Sequence, residues 1–98
     1  MRRSESGPRT QSYKIKLPAG TTINSLNTWG SLLPIFGSPD DNIIANWAGE
    51  SFGPGGVLQL QANITSDGQG QVYAWNFTAN PITTGLDLYI NVQIIPKD

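Results

Sequence analysis

The 98 residues include no cysteine and no histidine. Those two absences together remove disulfides, thiolate nucleophiles, Cys/His zinc sites, imidazole bases and histidine-based pH switching. Basic residues are also scarce: between Leu17 and Pro96 there is none. A body without Lys or Arg cannot neutralise a phosphate backbone, so the folded part is not expected to bind nucleic acid. Long apolar runs are missing too. Nothing approaches the about 20 residues of a membrane span, so no membrane association is expected. Met1 to Gln11 is dominated by Arg, Ser, Glu, Gly and Pro rather than by the apolar stretch of a secretory leader, and synthesis in a cytosol is the expectation.

The charge that is present divides sharply along the chain. Residues 1–16 hold Arg2, Arg3, Arg9, Lys14 and Lys16 against Glu5, a net +4. Residues 17–98 hold Lys97 against Asp40, Asp41, Glu50, Asp67, Asp87 and Asp98, a net -5. The segment 1–11 has the makeup of a flexible basic arm, and 12–98 is long enough for a single domain. Arg2, Arg3 and Arg9 are therefore candidate contacts to an acidic partner.

Period-2 alternation dominates the remainder. Tyr13, Ile15 and Leu17 alternate with Lys14 and Lys16. The stretch from Thr21 to Phe36 reads as irregular with short strands, since Ile23, Leu26 and Trp29 have helical spacing while Pro34 interrupts the apolar run after it. Ser38-Pro39-Asp40-Asp41 has the chemistry of a helix start, with a Ser cap, Pro at the first position and carboxylates near the positive dipole end. That favours one short helix over about 39–48, with Ile43, Ile44 and Trp47 on one face. Gly53-Pro54-Gly55-Gly56 is a turn.

The last part is the most regular. Leu58, Leu60, Ala62 and Ile64 alternate with Gln59, Gln61 and Asn63; after Ser66 to Gly70, Tyr73, Trp75 and Phe77 alternate with Ala74, Asn76 and Thr78. This predicts a β-hairpin with the aromatic set facing the core. Leu86, Leu88, Ile90, Val92 and Ile94 then alternate with Asp87, Tyr89, Asn91 and Gln93. One apolar face on three strands needs a second layer, so the fold class is all-β, a β-sandwich or jelly roll.

No catalytic residues, no cofactor and no metal are expected. A carboxylate pair across a cleft would have to come from Asp40, Asp41, Glu50, Asp67 or Asp87, four of which fall in turns or at the helix start, where local structure already favours them. Asp40-Asp41-Asn42 and Asp67-Gly68 fit no defined calcium loop. The two Asn-X-Thr triplets, at Asn63 and Asn76, stand so near the roughly 1.3 that chance gives in this composition that they are no signal. Tyr89, Asn91 and Gln93 differ: they share the polar face of the closing strand and are candidate partner contacts. The strand faces carry amides in place of the charges that usually protect exposed sheets, so a homo-oligomer is expected, a trimer in particular.

A basic polar arm at Met1 to Gln11, Gly-rich turns at Gly53 to Gly56 and Ser66 to Gly70, amide-rich strands and the closing strand Leu86 to Ile95 together resemble the capsid decoration (cement) proteins of tailed bacteriophages. That resemblance spans the chain and is one of style; it transfers no individual residue. It implies a viral structural protein on the capsid surface of the virion, made in the host cytoplasm, that binds and stabilises the lattice through the major capsid protein or another virion protein. Fibre and tail head domains share the β part. They imply instead a receptor- or glycan-binding head in which Tyr89 or Trp47 stacks on sugar.

Overall fold

Leu88, Ile90, Val92 and Ile94 are all essentially fully buried, whereas Asn91 and Gln93 between them are exposed. Such one-sided alternation makes a strand that must be covered on one face only. The computed structural model describes residues 10–51 and 57–97, and among these there is no α-helix. In chain order the elements are β1 (Gln11–Leu17), β2 (Thr22–Ile23), β3 (Thr28–Pro34), β4 (Asn42–Trp47), a 3-10 turn (Gly49–Ser51), β5 (Leu58–Ser66), β6 (Gln69–Asn76), β7 (Ile82–Thr83) and β8 (Leu88–Ile95). β8 is the centre of a sheet ordered β1-β8-β4, and β6 is the centre of a second ordered β3-β6-β5, all pairs antiparallel.

The two sheets are halves of one folded ribbon. β1–β8 and β2–β7 keep a common register, Gln11↔Ile94 through Leu17↔Leu88 and on to Thr22↔Thr83 and Ile23↔Ile82. The ribbon then slips by two residues, so that Thr28 pairs with Trp75 rather than Phe77, and runs on as β3–β6 to Pro34↔Gln69. An even slip preserves which side chains face inward. Folding this ribbon over and adding β4 to β8 and β5 to β6 gives a β-sandwich. β4 and β5 close one side, with Cα atoms within 8 Å of each other across the gap. On the other side the Phe36 N–H donates to the Tyr13 hydroxyl at 2.9 Å.

Two buried polar residues hold the ribbon where its pairing breaks. At the first corner the Thr84 hydroxyl donates to the Pro18 carbonyl at 2.7 Å and accepts from the Thr21 N–H at 3.0 Å. At the two-residue slip sits Asn76, fully buried. Its Nδ2 donates to the carbonyls of Ile23 and Asn80, each at 2.9 Å, and its Oδ1 accepts from the Thr78 N–H at 2.9 Å and hydroxyl at 2.7 Å. These groups lose ladder partners at the slip, and a buried polar group without a partner is costly. The second Asn-X-Thr triplet is thus a structural clamp.

The core lies between the sheets: Ile15, Leu33, Ile35, Val72, Ile90, Val92 and Ile94 form one buried cluster, and Leu17, Ile23, Leu58, Ala74 and Leu88 the other. Trp29, Trp47 and Leu60 pack against both. Two expectations are corrected here. Tyr73, Trp75 and Phe77 do not face the core; the inward set on β6 is Gly70, Val72, Ala74 and Asn76. The branched side chains of β8 already fill the layer between the sheets, leaving room for small residues opposite. A Cβ on Gly70 would stand 3.3 Å from Leu33 Cδ2 and 3.4 Å from Ile35 Cγ2. Leu86, expected to face inward, is exposed because β8 begins only at Leu88.

The short helix over 39–48 is replaced by a turn and strand β4. Asp41 N–H donates to the Ser38 carbonyl at 2.9 Å, and the Asp41 carboxylate accepts from the Ser38 N–H at 3.0 Å. The capping chemistry thus closes a turn, after which Ile43, Ala45 and Trp47 face inward opposite Ile94, Val92 and Ile90. Ladder pairing with β8 satisfies this backbone and buries that face, which a single helical turn could not match.

The hairpin tip between β5 and β6 is tighter than the five-residue loop expected. Gly68 takes φ +79, a left-handed conformation that glycine adopts without steric cost. Its N–H and carbonyl bond to Gly37 and Ile35, docking the tip on the chain beyond β3. The arm residues Arg2, Arg3 and Arg9 and the turn Gly53 to Gly56 lie outside the described residues; β1 begins at Gln11, at the arm's expected end.

Candidate functional site

Asp41 and Asp87 are placed by local structure. Asp41 accepts from two backbone donors, Lys97 N–H at 2.8 Å and Ser38 N–H, and these bonds hold its pKa below the ordinary value. Asp87 accepts from the Ala19 N–H at 2.8 Å and lies 4.0 Å from Lys16 Nζ. Asp67 sits in the hairpin turn. Among the described residues no three His, Cys, Asp or Glu side chains cluster as metal ligands would.

Two outer faces remain. On β1-β8-β4 the structure brings Tyr89, Asn91 and Gln93 together along the central strand, with Tyr89 partly buried and the other two exposed. Register places Lys16 beside Tyr89, Lys14 and Asn46 on either side of Asn91, and Ser12 and Ile44 on either side of Gln93. Lys14 Nζ lies 5.8 Å from the Tyr89 ring centroid, within cation–π range. A shallow depression of about 330 Å³ opens between Ser12, Tyr13, Asn46, Asn91, Val92 and Gln93. The face is thus basic at one edge, amide-lined at its centre and partly apolar at the other edge.

On the outer face of β3-β6-β5 the amides Gln59, Gln61 and Asn63 lie where the alternation of β5 places them, but the aromatics beside them were expected in the core. Tyr73 and Trp75 occupy the central strand of that face, and Phe77 follows them, 48% exposed. The Trp75 and Phe77 rings are 5.7 Å apart and tilted by 54°. Gln59 and Thr28 flank Trp75, Gln61 and Gly30 flank Tyr73, and Asn63 and Leu32 flank Gln71. Leu26 N–H bonds to the Asn76 carbonyl, which places Leu26 at the Phe77 end; it is 67% exposed. The usable signal was in β6 itself, where Val72 and Ala74 form an alternative apolar face of the size a filled interior accepts. Trp47, a candidate for sugar stacking, instead packs inward against both core clusters.

Fold and faces define a small all-β sandwich domain with two chemically unlike sheet surfaces. Comparison of the chain with protein-family models, with curated proteins and with solved structures finds no match.

Proposed function

We propose that this chain is a non-catalytic viral structural protein that docks on a capsid lattice as a decoration protein, using the outer face of β1-β8-β4 and the arm that leads into it. The observation that carries this reading is the segregation of charge. Lys14 and Lys16 project from β1 on that face, and Arg9, Arg3 and Arg2 precede the same edge strand in the sequence. Basic residues at one edge of a sheet, beside amides at Asn46, Asn91 and Gln93 that have no side-chain hydrogen bond among the described residues, suit an acidic protein surface. Charge steers the encounter, and the amides are desolvated more cheaply than full charges would be. The homo-oligomer, a trimer in particular, is part of this proposal: several copies around one lattice junction would multiply weak contacts.

A ligand that binds only the assembled lattice stabilises that state by mass action. Particles lacking the chain should assemble yet release their genome at a lower temperature, and added protein should restore the release temperature. Lys14→Glu combined with Lys16→Glu should abolish that restoration without unfolding the domain. Equal release temperatures with and without the chain, together with lost adsorption to cells, would overturn the reading in favour of an attachment head.

A further inference from the structure

We propose that the outer face of β3-β6-β5 binds a neutral oligosaccharide, with Tyr73, Trp75 and Phe77 as its apolar floor and Gln59, Gln61 and Thr28 as its polar rim. This goes beyond lattice docking and uses the opposite side of the sandwich. Nothing in the packing requires aromatics there, because Val72 and Ala74 already make the inward contacts of β6. Tyr73 and Trp75 on one face of the central strand, about 6.7 Å apart as same-face strand residues are, continue into Phe77 just beyond its end, whose ring lies 5.7 Å from that of Trp75. Gly30 positions one of them. A Cβ at Gly30 would stand 3.2 Å from Tyr73 Cδ1 and 3.4 Å from Cε1, so the Tyr73 ring leans over the β3 backbone in space that a larger residue would take.

The polar groups fit the same ligand. Among the described residues the side-chain amides of Gln59 and Gln61 have no hydrogen-bond partner, and they stand in register beside Trp75 and Tyr73. Each amide offers donors and an acceptor together, which matches a hydroxyl that does both. Among the described residues no charged side chain belongs to any row of this face from Thr28↔Trp75 to Pro34↔Gln69. A phosphate, sulfate or uronate would have no counter-charge, whereas a neutral sugar needs none. Aromatic rings supply rigid apolar area for the C–H faces of a pyranose, and flanking polar groups fix its orientation. Size argues against a second copy as the occupant. Three strands of seven, eight and nine residues, about 4.8 Å apart, present about 400 Å² in projection, half of the about 800 Å² per partner in a standard interface.

The test is a two-dimensional NMR titration of the labelled full chain with cellohexaose, maltohexaose, mannohexaose and xylohexaose, and with oligogalacturonate and a heparin hexasaccharide as charged counterparts. At least one neutral hexasaccharide should shift the Trp75 indole and the Gln59 and Gln61 side-chain amides while leaving Trp29 and Trp47 unmoved. Tyr73→Ala and Trp75→Ala should each weaken that binding tenfold or more and retain cooperative unfolding. Absence of any shift with all four neutral sugars, or equal binding of the charged ones, would overturn the proposal. So would concentration-dependent shifts of the same residues without sugar that vanish in Phe77→Ser, which would assign the face to a second copy. Lys14 and Lys16 lie on the other sheet, so failure of sugar binding and failure of lattice docking are read separately.

Discussion

Replacing Asn76 by alanine should be among the most damaging single changes in the domain, although no apolar contact is the main thing lost. Four side-chain hydrogen bonds disappear. The bond to the Ile23 carbonyl is buried, and leaving that acceptor unpaired costs about 1 to 3 kcal/mol. The Asn80 carbonyl and the Thr78 donors are partly accessible, so water recovers much of their loss, and about 0.5 kcal/mol each is a fair share. The expected total is about 3 to 4 kcal/mol, a large part of the 5 to 15 kcal/mol that stabilises typical domains. At about 4 to 8 °C per kcal/mol for a domain of this size, Tm should fall by about 15 to 25 °C. Urea unfolding followed by far-UV circular dichroism measures the loss, with an unchanged m-value certifying that the same structure unfolds. Asn76→Asp is the control. It keeps the acceptor for Thr78, removes the donors and buries a carboxylate without a cation, so it should be at least as damaging at pH 7 and less so as acid neutralises it. A loss below about 1 kcal/mol for Asn76→Ala would refute the claim that this side chain holds the ribbon at its slip.

Other expectations follow from the same geometry. Trp75→Ala should cost only about 1 to 2 kcal/mol, because the ring is on the outer face, while Ile90→Ala should cost about 3 to 4 kcal/mol as a core truncation; denaturant titrations giving the reverse order would contradict the face assignment of β6. Asp41, whose pKa is lowered first by the Lys97 N–H and then by the Ser38 N–H, should contribute stability that is full well above its ordinary value of 3.8 and is lost as pH falls through its depressed folded value. Asp41→Asn should therefore flatten the acid limb of the stability curve between about pH 2 and 5, and an unchanged limb would argue against these bonds.

Legibility from sequence followed how one-sided each strand is. In β8 the inward residues are all branched aliphatics and the outward ones up to Gln93 are polar, so both strand and face were readable and Tyr89, Asn91 and Gln93 lie on the outer face. In β6 both faces are apolar, Val72 and Ala74 against Tyr73 and Trp75. Choosing between them needed the volume left by β8, which no local pattern contains. In β4 the doublet Ile43-Ile44 satisfies helical and strand periods alike, and Ser38 to Asp41 is chemistry that a helix cap and a turn share. The amides Gln59, Gln61 and Asn63 lie on the outer face of β5, as their alternation implies; only the aromatic part of this surface, Tyr73 and Trp75, is hidden by the inversion of β6.

The nested register of the ribbon also constrains the order in which the chain can assemble. Gln11 and Ile94 are partners although almost the whole chain lies between them, and closing such a loop directly costs the most entropy of any pairing here. The β5–β6 hairpin joins Ser66 to Gln69 and costs little. Once it exists, β3 can add to β6 by closing the stretch 35–57, and the β2–β7 pair and then β1 on β8 can follow, these last steps each enclosing only a few residues more. The molecule would thus zip from the Gly68 turn outward to its ends. Refolding should be slow, in the range of milliseconds to seconds that non-local β topologies show. Substitutions at Gly68 should slow folding, whereas those near Gln11 should mainly hasten unfolding, so the strand carrying Lys14 and Lys16 is the last to lock in place and the first to let go.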